Sequence, residues 1–168
     1  MGLIEAATDE QIRRQFKVNV FGLIRMTKAM LPHFRSNQEG LLINISSMGG
    51  RVTFPTMSLY HASKFAVEGF SESVSYELAS QNIKVKLIEP GAINTDFGGR
   101  SMEFFFNDAL TDYKPFTTAF RVNWLRWKNT RHTLHLQKLL PKQYTKRPQT
   151  VQVNSDMSLE KMQRCSFI

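Results

Sequence analysis

Three side chains in the stretch INISSMGGRVTFPTMSLYHASKFAVEGF are suited to moving a proton: Ser47, Tyr60 and Lys64. Tyr60 and Lys64 stand four residues apart, and Ser47 lies thirteen residues before Tyr60. A free phenol ionises near pH 10 (about 10), too weakly to exchange protons readily at neutral pH. An ammonium held close favours the phenolate and lowers that pKa. Residues at i and i+4 share one helix face, so the spacing delivers the pairing if this stretch is helical. A serine hydroxyl from a neighbouring strand end would then hold a carbonyl oxygen. The chemistry in view is proton transfer accompanying a cofactor's hydride transfer.

Elements must bring these groups together. With four tyrosines and eleven lysines, the bare Tyr/Lys spacing is weak on its own, and context carries the argument. Thr8-Asp9-Glu10-Gln11 reads as a capping box opening a helix. Ile12, Phe16, Val20, Leu23, Ile24, Thr27, Met30 and Leu31 recur at helical spacing, and Pro32 places the helix end around residues 32–36. Residues 40–46 read as a short, fully buried strand. A second long helix is expected from Met57 to about Ser80, with Tyr60 near its start. Residues 83–89 read as a second strand, stopped by Pro90-Gly91. The α-β-α-β order argues for an α/β fold with a parallel sheet, its strands adjacent.

The serine, the Tyr/Lys helix and the later Pro-Gly closely resemble the short-chain dehydrogenase/reductase family, over about residues 2–120. That resemblance implies a partial Rossmann-type, doubly wound sheet. It implies catalytic roles for Asn19, Ser47, Tyr60 and Lys64: Tyr60 as acid/base, Lys64 lowering the phenol's pKa and binding ribose, Ser47 orienting a carbonyl. Asn19, in KVNVFG, matches a helix asparagine that positions a water in a proton relay. By the same resemblance Tyr60, Lys64, Pro90, Gly91, Ile93 and Thr95 are cofactor contacts, with NAD or NADP as cofactor. Ile93 would meet the nicotinamide carboxamide through its backbone, and Thr95 the phosphate side.

The 168 residues contain no Gly-rich turn between a first strand and a helix, the feature on which a pyrophosphate rests. The acidic or basic residue that selects NAD or NADP is missing with it. The expectation is a reaction centre without most of its cofactor cradle, impaired or inactive alone.

Residues 1–120 balance 12 Lys+Arg against 12 Asp+Glu, whereas residues 121–168 hold 10 against 2, so the net +8 is a property of the tail. All nine glycines precede residue 121, while both tryptophans and Cys165 follow it. Two segments are therefore expected: residues 1–120 with the catalytic motif, and a basic, poorly ordered tail from 121 to 168. Among the degenerate codons, back-translation from the third codon base can turn Lys142–Lys146 into T-I-Y-K and Asp156–Ser166 into Y-V-I-G-K-D-A-E-V-L. The tail thus reads as a shifted frame of an ordinary C-terminus.

A single cysteine argues against an internal disulfide framework and fits a reducing, cytoplasmic setting. The N-terminus lacks signal-peptide character, and no stretch approaches a membrane span. His132 and His135 lack partners at metal-ligand spacing, so no metal site is expected, and His33 and His61 read as solvated helix residues. The Asn44-Ile45-Ser46 sequon falls in a predicted buried strand and carries no modification. Gly98-Gly99 reads as a turn. Residues 102–106 and 116–120 either line an apolar substrate pocket or pack as loops.

Three functions compete. The first is an oxidoreductase acting on a small-molecule alcohol or carbonyl. The second is a non-catalytic partner that forms a homo- or hetero-oligomer through helices 9–35 and 57–80. The third is salt-sensitive nucleic-acid binding by the basic tail with Trp124 and Trp127. A shifted frame would generate that tail composition without selection for a partner, so no specific nucleic-acid binding is expected.

Overall fold

The computed structural model describes residues 1–91 and 101–129. Ile93, Thr95 and Gly98-Gly99 lie outside the described residues, as do His132, His135, Cys165 and the tail beyond 129. The described chain divides into two compact units, Met1–Phe106 and the residues from Asn107 onward.

In the first unit, Thr8 opens the helical run as its sequence implies. Thr8 Oγ1 accepts from the Gln11 amide at 3.2 Å, and Gln11 Oε1 accepts from the Thr8 amide at 2.9 Å. Two otherwise unpaired donors at the helix start are satisfied reciprocally. Helix α1 (Asp9–Phe16) continues through a π-helical segment (Lys17–Gly22) into α2 (Leu23–Ser36). The run ends within the expected window, just after Pro32. Its middle differs from a regular helix, because Lys17–Gly22 takes the wider π repeat, often found at functional positions. Asn19 sits inside it.

Helix α3 (Ser58–Ala79) falls within the expected limits. Gln38 and Asn82 adopt left-handed backbone angles, φ 54° and 53°, two and three residues past the ends of α2 and α3. Left-handed residues commonly turn a chain away from a helix. Asn82 Nδ2 donates to the Gln38 carbonyl at 3.0 Å, tying the two exits together.

Those exits lead into β1 (Gly40–Ile45) and β2 (Ile83–Ile88), which pair in parallel with Gly40 opposite Ile83 and Ile45 opposite Ile88. Adjacent parallel pairing is the expected topology. Leu42, Val74, Leu78 and Ile83 form the core, with Leu31, Phe34, Phe70 and Val85 packed around it. Helices α2 and α3 both contribute to this one layer.

The expectation that residues 40–46 are buried throughout is corrected. Leu42 and Asn44 point into the core, but Leu41, Ile43 and Ile45 remain about half exposed, at 50%, 52% and 52%. Strand side chains alternate between faces, and among the described residues nothing covers the second face. Asn44 is buried and donates to Ser71 Oγ on α3 at 2.8 Å, so the sequon asparagine is a structural side chain.

Residues near 104 return to the N-terminus. The Leu3 amide donates to the Phe105 carbonyl at 3.2 Å, and the Phe105 amide to the Met1 carbonyl at 3.0 Å. Gly2 is required at this crossing, because a Cβ there would lie 1.8 Å from the Phe105 oxygen. Phe105 is buried, which favours packing over a pocket lining for that ring. In the second unit, a short 3-10 turn (Thr111–Tyr113) leads into α4 (Lys114–Asn129). Phe116 and Phe120 stack one helical turn apart, with centroids 6.4 Å apart.

Candidate active site

Parallel strands in α/β sheets present ligands at their carboxyl ends, and Ser47, Tyr60, Lys64, Pro90 and Gly91 lie at that end here. The Ser46 amide donates to the Ile88 carbonyl at 2.8 Å, extending the β1–β2 ladder by one rung. The Met48 amide donates to the Pro90 carbonyl at 3.0 Å. Ser47, between those bonds, opens a tight turn over Met48–Gly50, and its Oγ accepts from the Gly49 amide at 3.0 Å. Pro90 and Gly91 therefore lie beside the Ser47 turn. A Cβ at Gly91 would meet only Met48 Sδ, at 3.8 Å, an ordinary contact.

Tyr60 is half-buried in the first turn of α3. The link from Ser47 to Tyr60 runs through Gly49. A Cβ at Gly49 would fall 3.0 Å from Tyr60 Cε1 and 2.9 Å from His61 Nδ1. Alanine at this position would push the turn off the helix, so the glycine is what lets backbone and phenol ring meet.

One turn along α3, Lys64 extends toward the end of β1. Its Nζ donates to the Ile45 carbonyl at 3.0 Å and lies 5.9 Å from the Tyr60 ring centroid. Burial pushes the Lys64 ammonium below its ordinary range, and the Glu68 carboxylate opposes that shift. The expected face of Tyr60 and Lys64 is present, with the ammonium also spent on a strand carbonyl.

Asn19 meets α3 at Ser63. Its Nδ2 donates to Ser63 Oγ at 3.0 Å, and Gln15 Nε2 donates to the same oxygen at 3.2 Å. Ser63 Oγ donates in turn to the Tyr60 carbonyl at 2.7 Å. Gln15, Asn19 and Ser63 thus fasten the helical run to the first turn of α3. Ile93 and Thr95, the remaining expected cofactor contacts, lie outside the described residues.

Two groups at this end of the fold are not evident from residue type and spacing. Glu68, one turn beyond Lys64, is buried, and Arg51 Nη2 pairs with its Oε2 at 3.1 Å. Arg51 also donates from Nε and Nη2 to Glu89 Oε1, at 3.1 and 3.0 Å. The guanidinium thereby joins the Ser47 turn, α3 and the end of β2. Burial pushes the Glu68 carboxyl up, against the lowering effects of the Ser46 hydroxyl, Arg51 and Lys64. A Cβ on Gly50 would lie 2.8 Å from Ser46 Oγ and 2.9 Å from Glu68 Oε1, so the second glycine is also a close-approach residue. The paired glycines and a Glu at i+4 from Lys64 were the available signals.

The second group is His61. The expectation of a solvated helix residue is corrected, for the residue is 3% exposed and both ring nitrogens are bonded. Helical periodicity alone cannot register a turn that folds back over the helix start.

Comparison with known proteins decides what this arrangement belongs to. The short chain dehydrogenase model matches residues 1–104, well over half of the chain. The chain belongs to the short-chain dehydrogenase family. An uncharacterized oxidoreductase of Schizosaccharomyces pombe is 48% identical over 94 residues, covering 56% of this chain and 40% of that protein. A short-chain dehydrogenase of Streptomyces avermitilis superposes with a TM-score of 0.58 at 39% identity, over 63% of this chain and 39% of the other. ElxO with NADP bound gives a TM-score of 0.55 at 27% identity, over 61% and 44%. A 3-ketoacyl-(acyl-carrier-protein) reductase of Brucella melitensis, solved with NADH, gives 0.53 at 30%, over 54% and 39%. NAD(P) is the cofactor of this family, and this chain carries part of the Rossmann-type α/β fold of these neighbours. The chain spans about 40% of the length of the relatives it matches. Among the described residues, no helix is long and apolar enough to cross a membrane.

Proposed function

We propose that this chain carries the proton-transfer end of an NAD(P)-dependent oxidoreductase that interconverts an alcohol and a carbonyl. The observation that carries the reading is the assembly of Ser47, Tyr60 and Lys64 at the carboxyl ends of β1 and β2. Tyr60 gives its hydroxyl proton to the carbonyl oxygen in reduction and takes it back in oxidation. Ser47 donates a hydrogen bond to that oxygen, and Lys64 favours the phenolate left behind. Asn19 supports the first turn of α3 through Ser63.

The residues present fit the nicotinamide–ribose end of the cofactor. Lys64 and Tyr60 would hold the ribose, and Gly91 leaves room beside the Ser47 turn; when bound, the cofactor supplies or accepts the hydride. The sequence contributes no Gly-rich turn to hold the pyrophosphate, so affinity for the whole dinucleotide and turnover are low in this chain alone.

A smaller probe isolates the part of the site that is present. Reduced nicotinamide mononucleotide is expected to shift the amide NMR signals of Ser47, Gly49, Lys64 and Gly91 at millimolar concentration. Lys64→Met should remove the response. Shifts centred elsewhere, or unchanged in that variant, would dismiss this placement of the nicotinamide end.

A second reading, association with another copy or a relative, is favoured by the outer helix faces. Val18, Phe21 and Met26 on the helical run are exposed, as are Phe65 and Tyr76 on α3. Gly69 lies between the latter two, and a Cβ there would meet nothing within 4 Å. A mid-helix glycine costs about 1 kcal/mol relative to alanine, and no contact within the described chain compensates it. Sedimentation equilibrium is expected to show a dimer that Gly69→Arg dissociates. A dimer unaffected by that change would assign association to another surface.

A further inference from the structure

We infer that His61 is a positioning residue: in its Nδ1–H tautomer it clamps the Ser47 turn and the following loop onto the first turn of α3, and protonation releases that clamp. The catalytic meaning of the clamp rests on the roles proposed for Ser47 and Tyr60, whereas the clamp itself does not.

The hydrogen bonds specify the tautomer. The Phe54 amide donates to His61 Nε2 at 2.8 Å, so that nitrogen must be the unprotonated acceptor. Nδ1 therefore carries the hydrogen and donates to the Gly49 carbonyl at 2.8 Å. One imidazole grips both ends of the segment from Gly49 to Phe54. The Gly49 end contains the amide bonded to Ser47 Oγ and the backbone resting on Tyr60. Moving Gly49 thus moves the serine and the phenol relative to each other.

The ring is buried between the edge-on rings of Phe54, at 5.4 Å, and Tyr60, at 5.9 Å. The titratable groups on the elements packed around it are engaged elsewhere. Tyr60 meets it through the ring, Arg51 on the turn pairs with Glu68 and Glu89, and Lys64 on α3 bonds the Ile45 carbonyl. A proton on Nε2 would set two N–H donors against each other at the Phe54 amide. Burial also pushes the imidazole below its ordinary 6.5, against the raising effect of its bond to the Gly49 carbonyl. The sign follows from linkage. The unfolded chain takes up the proton first, so the clamp's contribution to stability is complete above about 6.5 and is lost as pH falls through the lower folded value.

The test uses NMR of the full chain with labelled histidine, together with amide hydrogen exchange. The nitrogen shifts of His61 should show a protonated Nδ1 and an acceptor Nε2 at neutral pH. On acidification through the His61 titration, protection of the Phe54 amide should fall about tenfold, the effect of stranding a buried donor. The Gly49 and Gly50 signals should shift at the same pH while Val67 and Ile83 stay protected. His61→Asn retains a donor near the Nδ1 position but no acceptor for Phe54. It should show that tenfold loss at neutral pH and no further step. His61→Gln, whose Oε1 reaches the Nε2 position, should restore most of the protection. An Nε2–H tautomer would overturn the inference, as would a Phe54 amide indifferent to the His61 titration. Loss of Phe54 protection only together with that of Val67 and Ile83 would also overturn it, since that is global unfolding. None of these readouts requires nicotinamide binding or turnover, so failure of the proposed function would leave this result intact.

Discussion

Fused behind the nucleotide-binding portion of a relative, this chain is expected to oxidise NAD(P)H with carbonyl substrates, and Tyr60→Phe is expected to reduce that turnover by about a hundred- to ten-thousand-fold. The substitution removes one oxygen and its proton while leaving the aromatic ring against Gly49, so the loss reports proton transfer rather than collapse of the site. The unfused chain is expected to give no detectable oxidation. Holding donor and acceptor in register contributes up to about 7–11 kcal/mol to lowering a barrier. Much of that positioning comes from binding energy at the remote end of a dinucleotide. Nothing in this sequence supplies a Gly-rich pyrophosphate turn, whereas Lys64, Tyr60 and Gly91 address only the near end. The measurement is NADH and NADPH absorbance decay with several carbonyl compounds. Robust turnover by the chain alone would defeat the account of the cofactor site, and a Tyr60→Phe fusion of undiminished activity would defeat the role of the phenol.

The second large effect concerns what holds the strand ends in place. Ile83→Ala is expected to cost about 2–5 kcal/mol, because it removes methyl groups from a packed interior and leaves a cavity. Ile83 is 2% exposed and shares the core with Leu42, Val74 and Leu78, where β1, β2 and α3 meet. Against a typical domain stability of about 5–15 kcal/mol, that loss is large. Ile43→Ala is the matched control on the adjacent strand. Its side chain is half exposed, so it has less burial to lose and is expected to cost well under half as much. Urea unfolding followed by circular dichroism measures both. Equal losses at the two positions would mean that the second face of β1 is covered in solution.

That contrast bears on how much of the fold is legible in the residues. The capping box at Thr8, the helix end after Pro32 and the limits of α3 and both strands follow from local rules. A cap is a contact between residues three apart, and β2 ends just before Pro90-Gly91. Parallel pairing of β1 with β2 follows as well, since an intervening helix leaves the chain little other way to return. The π-helical segment around Asn19 is not legible in this way. Its apolar spacing fits an ordinary helix.

Residue types and spacing by themselves determine the chemistry on offer: a phenol, an ammonium one turn away, a serine at a strand end and the family to which they belong. They determine the α/β order because hydrophobic period and turn chemistry are local properties of the chain. Tertiary structure decides which neighbours those groups meet. It sets Lys64 against the Ile45 carbonyl, routes Asn19 through Ser63, and leaves one face of β1 uncovered by the described residues where an apolar run suggested burial throughout. It also converts His61 from an apparently solvated helix residue into a buried clamp, and Glu68 into the far end of an Arg51 bridge. The physical reason is the same in each case. Burial and hydrogen bonding depend on what the turn after β1 folds back to touch, and that return brings together residues from Ser47 to Glu89 whose separation along the chain carries no record of their contact.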